Sequence, residues 1–68
     1  MSVPVTLNGE PCVLPDGSTL AQAVAELSAA PSGVAAAVNG DVVPRGSWDL
    51  TVLRDGDQVE VVTAVQGG

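Results

Sequence analysis

The sequence contains no histidine and no lysine, and Cys12 is its single cysteine. Without histidine, and with one thiol, it lacks the ligand set of a structural metal site and cannot form an internal disulfide. Without lysine it has no Schiff-base nucleophile and no side-chain amine that could serve as a conjugation site. We therefore expect no metal site and no catalytic residue in this chain.

The chain is also short, with 68 residues. A single domain of this size buries only about 60% of the surface that its unfolded chain exposes. Pockets that enclose a small substrate measure hundreds of cubic ångströms and need walls on several sides. We therefore expect one small domain and not an independent enzyme.

Positive charge is scarce, since Arg45 and Arg54 stand against eight acidic residues and the formal net charge is −6. This charge repels phosphate backbones and anionic lipid surfaces, so we expect neither a nucleic acid nor a membrane as a partner. A basic protein would be attracted, although the same charge can simply maintain solubility. The first residues show no charged leader and no long apolar run, which predicts a cytoplasmic protein.

Aromatic side chains are almost absent, because Trp48 is the only one, and the apolar residues are mainly Val, Ala and Leu. This composition favours β-strands. We interpret Trp48, the one large side chain, as part of the core and not as a docking residue. Cys12 lies among apolar neighbours, which indicates a small buried residue and not a sulfur-carrying thiol.

Alternating apolar residues predict a first hairpin. Residues 3–7 and 10–14 flank Asn8-Gly9, and Asn-Gly between alternating segments is the strongest short hairpin signal. Pro11 cannot donate to a sheet ladder, so we place the second strand at a sheet edge.

The second half of the chain predicts another hairpin and a last strand. Residues 34–38 and 42–44 flank the turn Asn39-Gly40-Asp41. A loop around the tryptophan, a short extended piece at 50–53 and an Asp-Gly-Asp turn then lead to a strand at 58–63.

One segment between the hairpins changes to the period of a helix. Its apolar residues are spaced at i, i+3, i+4 and i+7, and they are Leu20, Ala23, Val24 and Leu27. Thr19 and Gln22 have the spacing of a capping box at the start. Pro31 disfavours helix at the preceding residue, so a helix over about 19–29 is predicted.

The order of elements is strand, strand, helix, strand, short strand, strand, or ββαββ when the short strand is not counted. It predicts an α+β fold: a mixed sheet of four or five strands with one helix packed across one face. The helix is a crossover, so the last strand can pair parallel to the first. Val13 and Val62 are out of phase with the core residues of their strands and would stand on the face away from the helix, as an apolar docking patch. Ordinary singly exposed valines are the alternative.

The last two residues, Gly67 and Gly68, suggest chemistry on the chain end itself. Without Cβ atoms they can thread a narrow channel, so the α-carboxylate could reach an active site in another protein. A carboxylate is a poor acyl donor, and we expect a partner to activate it as a mixed anhydride with AMP. The alternative is an unstructured end without a role.

The predicted strand order and two stretches of sequence together resemble the ThiS family, the ubiquitin-like β-grasp sulfur carriers of thiamine biosynthesis. The stretches are "VNGDVVPRGSW" and "DGDQVEVVTAVQGG", and the second includes the terminal Gly67-Gly68. Ubiquitin-like modifiers and the small subunit of molybdopterin synthase share the Gly-Gly end. The pattern "NGxxVPRxxW" from Asn39 to Trp48, together with "DGDQ" at 55–58, favours the thiazole branch.

The resemblance implies a β-grasp domain over 1–64 and a flexible tail over 65–68. It implies that an E1-like (ThiF-type) adenylyltransferase uses ATP to adenylate Gly68, and that sulfur from a cysteine desulfurase relay converts the adenylate to a thiocarboxylate. A thiazole synthase (ThiG-type) then takes this sulfur, with Gly67 and Gln66 as the approach into partner active sites. The protein would be a recycled cosubstrate without a bound cofactor.

Two alternatives remain open at this point. The same tail chemistry serves carriers for molybdopterin, cysteine or other sulfur metabolites. The chain could also be a ubiquitin-like module that is conjugated through its end, or that only binds a partner.

Overall fold

The computed structural model describes residues 1–27 and 33–63. These residues form five strands, one α-helix and one 3₁₀ helix. In chain order the elements are β1 (Ser2–Leu7), β2 (Glu10–Pro15), α1 (Leu20–Leu27), β3 (Val34–Val38), β4 (Asp41–Val43), the 3₁₀ helix (Arg45–Leu50) and β5 (Gln58–Thr63).

The five strands form one mixed sheet in the order β2-β1-β5-β3-β4. β5 lies in the middle, parallel to β1 and antiparallel to β3. β2 is an edge strand, as the proline within it predicted, because Pro11 there need not donate to a further strand. The predicted α+β fold, a mixed sheet with one helix and a parallel pair of first and last strands, is confirmed.

Both predicted hairpins turn through Asn-Gly with positive φ at both residues. The φ angles are 51° and 83° at Asn8 and Gly9, and 52° and 85° at Asn39 and Gly40. Two successive positive angles define the type I′ turn, whose twist matches that of the strands it joins. These turns fix the register of each hairpin.

The predicted capping box is present at the start of α1. The Thr19 N–H donates to Gln22 Oε1 at 2.8 Å, and the Gln22 N–H donates to Thr19 Oγ1 at 3.4 Å. Helix is described as far as Leu27. The remainder of the predicted helix, residues 28 and 29, and its stop at Pro31 lie outside the described residues.

The core lies between α1 and one face of the sheet. It consists of small aliphatic side chains and one indole, namely Val3, Val5, Leu7, Leu14, Leu20, Ala23, Val24, Ala36, Trp48, Leu53 and Val59. Trp48 is only 8% exposed, and its Nε1–H donates to the Val43 carbonyl at 2.8 Å. Its predicted role in the core is confirmed.

The segment after β4 differs from the prediction. Residues 45–50 form a 3₁₀ helix, so the extended piece predicted at 50–53 was wrong at Leu50. Pro44, with φ −60°, begins the turn, and its carbonyl accepts the Ser47 N–H at 2.8 Å. Within the piece predicted to be extended, Val52 forms an isolated antiparallel β-bridge with Thr19. The helical turn brings the Trp48 indole back to the end of β4, where it bonds the Val43 carbonyl.

Candidate functional site

The predicted covalent site, Gly68, and its approach, Gly67 and Gln66, lie outside the described residues. The structure does describe β5, the strand that precedes them in the chain. The geometry around the end of β5 is therefore what the structure contributes to the site.

The two neighbours of β5 support it over different lengths. On one side β3 pairs with it from Val38 opposite Val59 to Val34 opposite Thr63, which is the last residue of β5. On the other side the pairing with β1 ends at Leu7 opposite Val59, because β1 then turns into the first hairpin.

The side chain of Asn8 continues the ladder where β1 stops. The Asn8 backbone N–H donates to the Val59 carbonyl at 2.9 Å. Its side-chain Oδ1 accepts the Val61 N–H at 2.7 Å, and its Nδ2 donates to the Val61 carbonyl at 3.2 Å. A primary amide thus supplies the donor and acceptor that a further β1 residue would have supplied. The sequence signalled only the turn at Asn8 and not this contact.

A second asparagine binds the start of β5. The Gln58 N–H donates to Asn39 Oδ1 at 3.0 Å, and the Asn39 N–H donates to the Gln58 carbonyl at 2.8 Å. Asn39 Nδ2 also donates to Asp57 Oδ1 at 3.0 Å. The amide of a hairpin asparagine therefore binds the first residue of β5, and that of another binds Val61 in its second half.

The face of the sheet that α1 does not cover, which we call the open face, carries a shallow apolar groove beside the end of β5. It has a volume of about 450 Å³. The residues that line it are Asn8, Ala35, Ala36, Ala37, Val42, Glu60, Val61 and Val62. Val62 is 64% exposed and lies opposite Ala35, while Val42 is 75% exposed and lies opposite Ala37. We call the three residues Val42, Glu60 and Val62 the groove residues.

Val13 lies on the same face but far from Val62. It is 65% exposed and lies opposite Pro4 of β1. Pro4 is two residues before Thr6, which lies opposite Gln58, and Val62 is four residues beyond Gln58. The two valines are therefore offset by six residues along the strand direction, which corresponds to about 20 Å. The two valines thus have the predicted exposure, but they do not form one contiguous patch. Their docking role stays a prediction.

Two further side chains, those of Cys12 and Arg45, contact other residues of the fold. Cys12 is half-buried and packs against the core. The Arg45 guanidinium lies over the Trp48 ring, 5.8 Å from its centroid. Among residues 1–27 and 33–63, no three His, Cys, Asp or Glu side chains come together as a possible metal site. In the same part of the chain, no helix has the length and apolarity to cross a membrane.

Comparison with known proteins decides the family. The model of the ThiS family matches residues 5–68, which is nearly the whole chain. The chain belongs to the ThiS family. The matched range includes both pieces of the sequence pattern, from Asn39 to Trp48 and at 55–58, and the two terminal glycines.

Two ThiS relatives of similar length support this. The sulfur carrier protein ThiS of Thermus thermophilus is 42% identical over 64 residues, covering 94% of this chain and 98% of that protein. The sulfur carrier protein ThiS of Escherichia coli is 33% identical over 52 residues, covering 76% and 79%. The predicted family and the predicted role, a sulfur carrier of thiamine biosynthesis that is a cosubstrate and not a catalyst, are confirmed.

A solved ThiS structure confirms the β-grasp fold. The crystal structure of the thiamine biosynthesis protein ThiS from Geobacter metallireducens superposes with a TM-score of 0.77 at 29% identity. The match covers 97% of this chain and 100% of that one.

ThiS-like sequence also occurs within a larger protein. A thiazole synthase of Magnetococcus marinus is 42% identical over 64 residues, covering 94% of this chain. The chain spans only 20% of the length of that protein.

Proposed function

We propose that this chain carries sulfur as a thiocarboxylate on Gly68 and delivers it for the thiazole ring of thiamine. The observation that carries the proposal is the ThiS family match, which extends through residue 68 and so includes Gly67 and Gly68. The two relatives named sulfur carrier proteins, both of similar length, support it.

The chemistry begins with activation of a carboxylate. An E1-like adenylyltransferase of the ThiF type joins the Gly68 carboxylate to AMP from ATP, and pyrophosphate leaves. The terminal sulfur of a persulfide, supplied by a cysteine desulfurase relay, then displaces AMP and forms an acyl disulfide. A thiol reduces the S–S bond, is itself oxidised to a disulfide, and releases the thiocarboxylate, in which sulfur has replaced one carboxylate oxygen. Because the sequence has no histidine and no lysine, these partners supply the acid, base and phosphate-binding groups.

The acceptor that we propose is thiazole synthase. The Magnetococcus marinus protein of that name contains a segment that is similar to this chain, which supports a functional association of the two activities. Gly67 and Gln66 would enter the partner active site, where the glycine offers no side chain to block a narrow channel.

We propose two docking positions on the open face of the sheet, Val62 and Val13. Both are exposed aliphatic side chains, and Val62 lines the groove near the end of β5. A buried aliphatic contact of this kind would orient the carrier on a partner, while the formal charge of −6 would steer it toward a basic surface.

The compartment follows from the chemistry. Adenylation consumes ATP, and the single thiol of Cys12 suits a reducing environment. We therefore place the protein in the cytoplasm.

The test is intact mass after incubation with the adenylyltransferase, ATP, a cysteine desulfurase, cysteine and a thiol reductant such as dithiothreitol. The protein should gain about 16 Da as one oxygen becomes sulfur, and a variant that lacks Gly68 should gain nothing. Addition of thiazole synthase and its other substrates should restore the original mass, and ³⁴S from labelled cysteine should appear in the thiazole.

Other outcomes would contradict the proposal. A variant extended beyond Gly68 that still gains sulfur without processing would exclude the terminal carboxylate as the site. A covalent adduct with a larger target would indicate a conjugated modifier. Transfer of ³⁴S to another metabolite, and none to the thiazole, would indicate a carrier for a different pathway.

A further inference from the structure

We propose that Asn8 is a positioning residue that fixes the C-terminal end of β5 and thereby the point from which residues 64–68 continue to a partner active site. The inference rests on the proposed function, because it concerns the presentation of Gly68. Asn8 does not touch the reacting carboxylate in this scheme and acts only through Val61.

The need for such a contact follows from the direction of the peptide groups. In a strand, the N–H and C=O of one residue point to the same side. Both Val61 groups bond Asn8 and so point away from β3, toward the side where β1 has already ended at Leu7. Without the Asn8 amide, these two groups would be left to water, and β5 beyond Val59 would be bonded on one side only.

Asparagine suits both the turn and the contacts with Val61 at this position. Asn8 has φ 51°, which Asn, Asp and Gly tolerate best. Of these three, only asparagine carries a donor and an acceptor together. Aspartate would still accept from the Val61 N–H but would place its second oxygen against the Val61 carbonyl. Glycine would keep the turn and lose both contacts.

Asn39 offers a matched control. It has φ 52°, precedes a glycine, and also bonds β5 through its amide. Its partner, however, is Gln58 at the start of the strand, five residues from Thr63 at the other end. Asn39→Gly therefore removes the same chemical group from the same type of turn, at the end of β5 that is farther from Gly68 along the chain.

The experiment compares Asn8→Gly, Asn39→Gly and the unchanged full chain. Amide hydrogen exchange measured by NMR should show that Asn8→Gly lowers the protection of the Val61 amide about tenfold, whereas Asn39→Gly does not. Steady-state thiocarboxylate formation, measured by intact mass, should show a several-fold lower kcat for Asn8→Gly with KM nearly unchanged. Asn8 lies at the edge of the groove, but the groove residues Val42, Glu60 and Val62 are unchanged in Asn8→Gly, so we expect docking to be retained while a smaller fraction of bound chains presents its end correctly. Asn39→Gly should retain both constants.

Asn8→Asp is the conservative variant. It keeps the acceptor for the Val61 N–H, so its protection factor and its kcat should lie between those of Asn8→Gly and the unchanged chain. This variant also tests the idea if Asn8→Gly unfolds.

Two results would overturn the positioning role. One is an equal loss of kcat in Asn8→Gly and Asn39→Gly, which would indicate a general effect on stability. The other is an unchanged kcat in Asn8→Gly despite lost protection of Val61. Failure of the proposed function is distinct from both, since the unchanged chain itself would then gain no sulfur.

Discussion

The carboxylate of Asp57 accepts a hydrogen bond from the side-chain amide of Asn39, with 3.0 Å between Oδ1 and Nδ2. Its other oxygen, Oδ2, accepts the Arg54 N–H at 2.8 Å. The contact joins the second hairpin to the turn before β5. It also joins the two sequence stretches, "VNGDVVPRGSW" and "DGDQ", that together indicated the family. Their co-occurrence thus has a structural reason, because each stretch supplies hydrogen-bond partners for the other.

We predict that Asp57→Ala lowers the free energy of unfolding by about 1–2 kcal/mol, since two hydrogen bonds to a carboxylate are lost at a half-buried position. Urea denaturation followed by far-UV circular dichroism measures this. Asp55→Ala is the control, because Asp55 is an exposed acid in the same turn. Equal stability losses in the two variants would show that the Asn39 contact contributes nothing beyond charge.

Trp48 provides a second prediction. Trp48→Phe should lower the free energy of unfolding by about 1–3 kcal/mol, because the Val43 carbonyl loses its donor and the core loses volume. Since Trp48 is the only aromatic residue, circular dichroism must follow the variant, while fluorescence follows the unchanged chain. Emission of the folded chain at the wavelength of solvated indole would contradict the observed burial.

Much of the fold was predictable because each element has its own local signal. Two Asn-Gly turns between alternating segments define two hairpins, and a capping box with a helical apolar stripe defines the crossover. The parallel pairing of β1 and β5 then follows from connectivity. These signals depend on neighbours in the chain, and a sequence displays them directly.

What could not be predicted depends on contacts between distant segments. The amide of Asn8 reaches Val61, 53 residues away, yet the sequence shows only a turn residue. The distance between Val13 and Val62 depends on the register of β1 with β5, which no local pattern encodes. The 3₁₀ helix at Arg45–Leu50 contains the buried Trp48. The sequence instead predicted an extended backbone at Leu50, because the local pattern does not show this burial.

Cys12→Ala should still accept sulfur at the chain end. The thiol is half-buried and packs against the core, so we assign it a structural role. The sulfur acceptor that we propose is the Gly68 carboxylate. We expect the same gain of about 16 Da in intact mass, with a stability loss below about 1.5 kcal/mol. If Cys12→Ala folds but gains no sulfur, the Cys12 thiol takes part in sulfur transfer and the prediction is wrong. The variant that lacks Gly68 but retains Cys12 is the complementary control.

The groove residues beside the end of β5 give the last prediction. Val62→Asp places a charge on an aliphatic surface that we propose a partner covers, and burying that charge on docking is costly. We therefore expect KM for adenylation to rise at least fivefold with kcat nearly unchanged, and stability to change by less than about 0.5 kcal/mol because the side chain is exposed.

Leu50→Asp is the matched control, since Leu50 is an exposed aliphatic residue on the 3₁₀ helix and not on the open face of the sheet. Val13→Asp should raise KM less than Val62→Asp, because Val13 lies about 20 Å farther along the sheet from the end of β5. Equal KM values for Val62→Asp and Leu50→Asp would exclude the groove as the docking surface. A fall in kcat alone would instead place Val62 with Asn8, as a residue that affects presentation of the chain end and not binding.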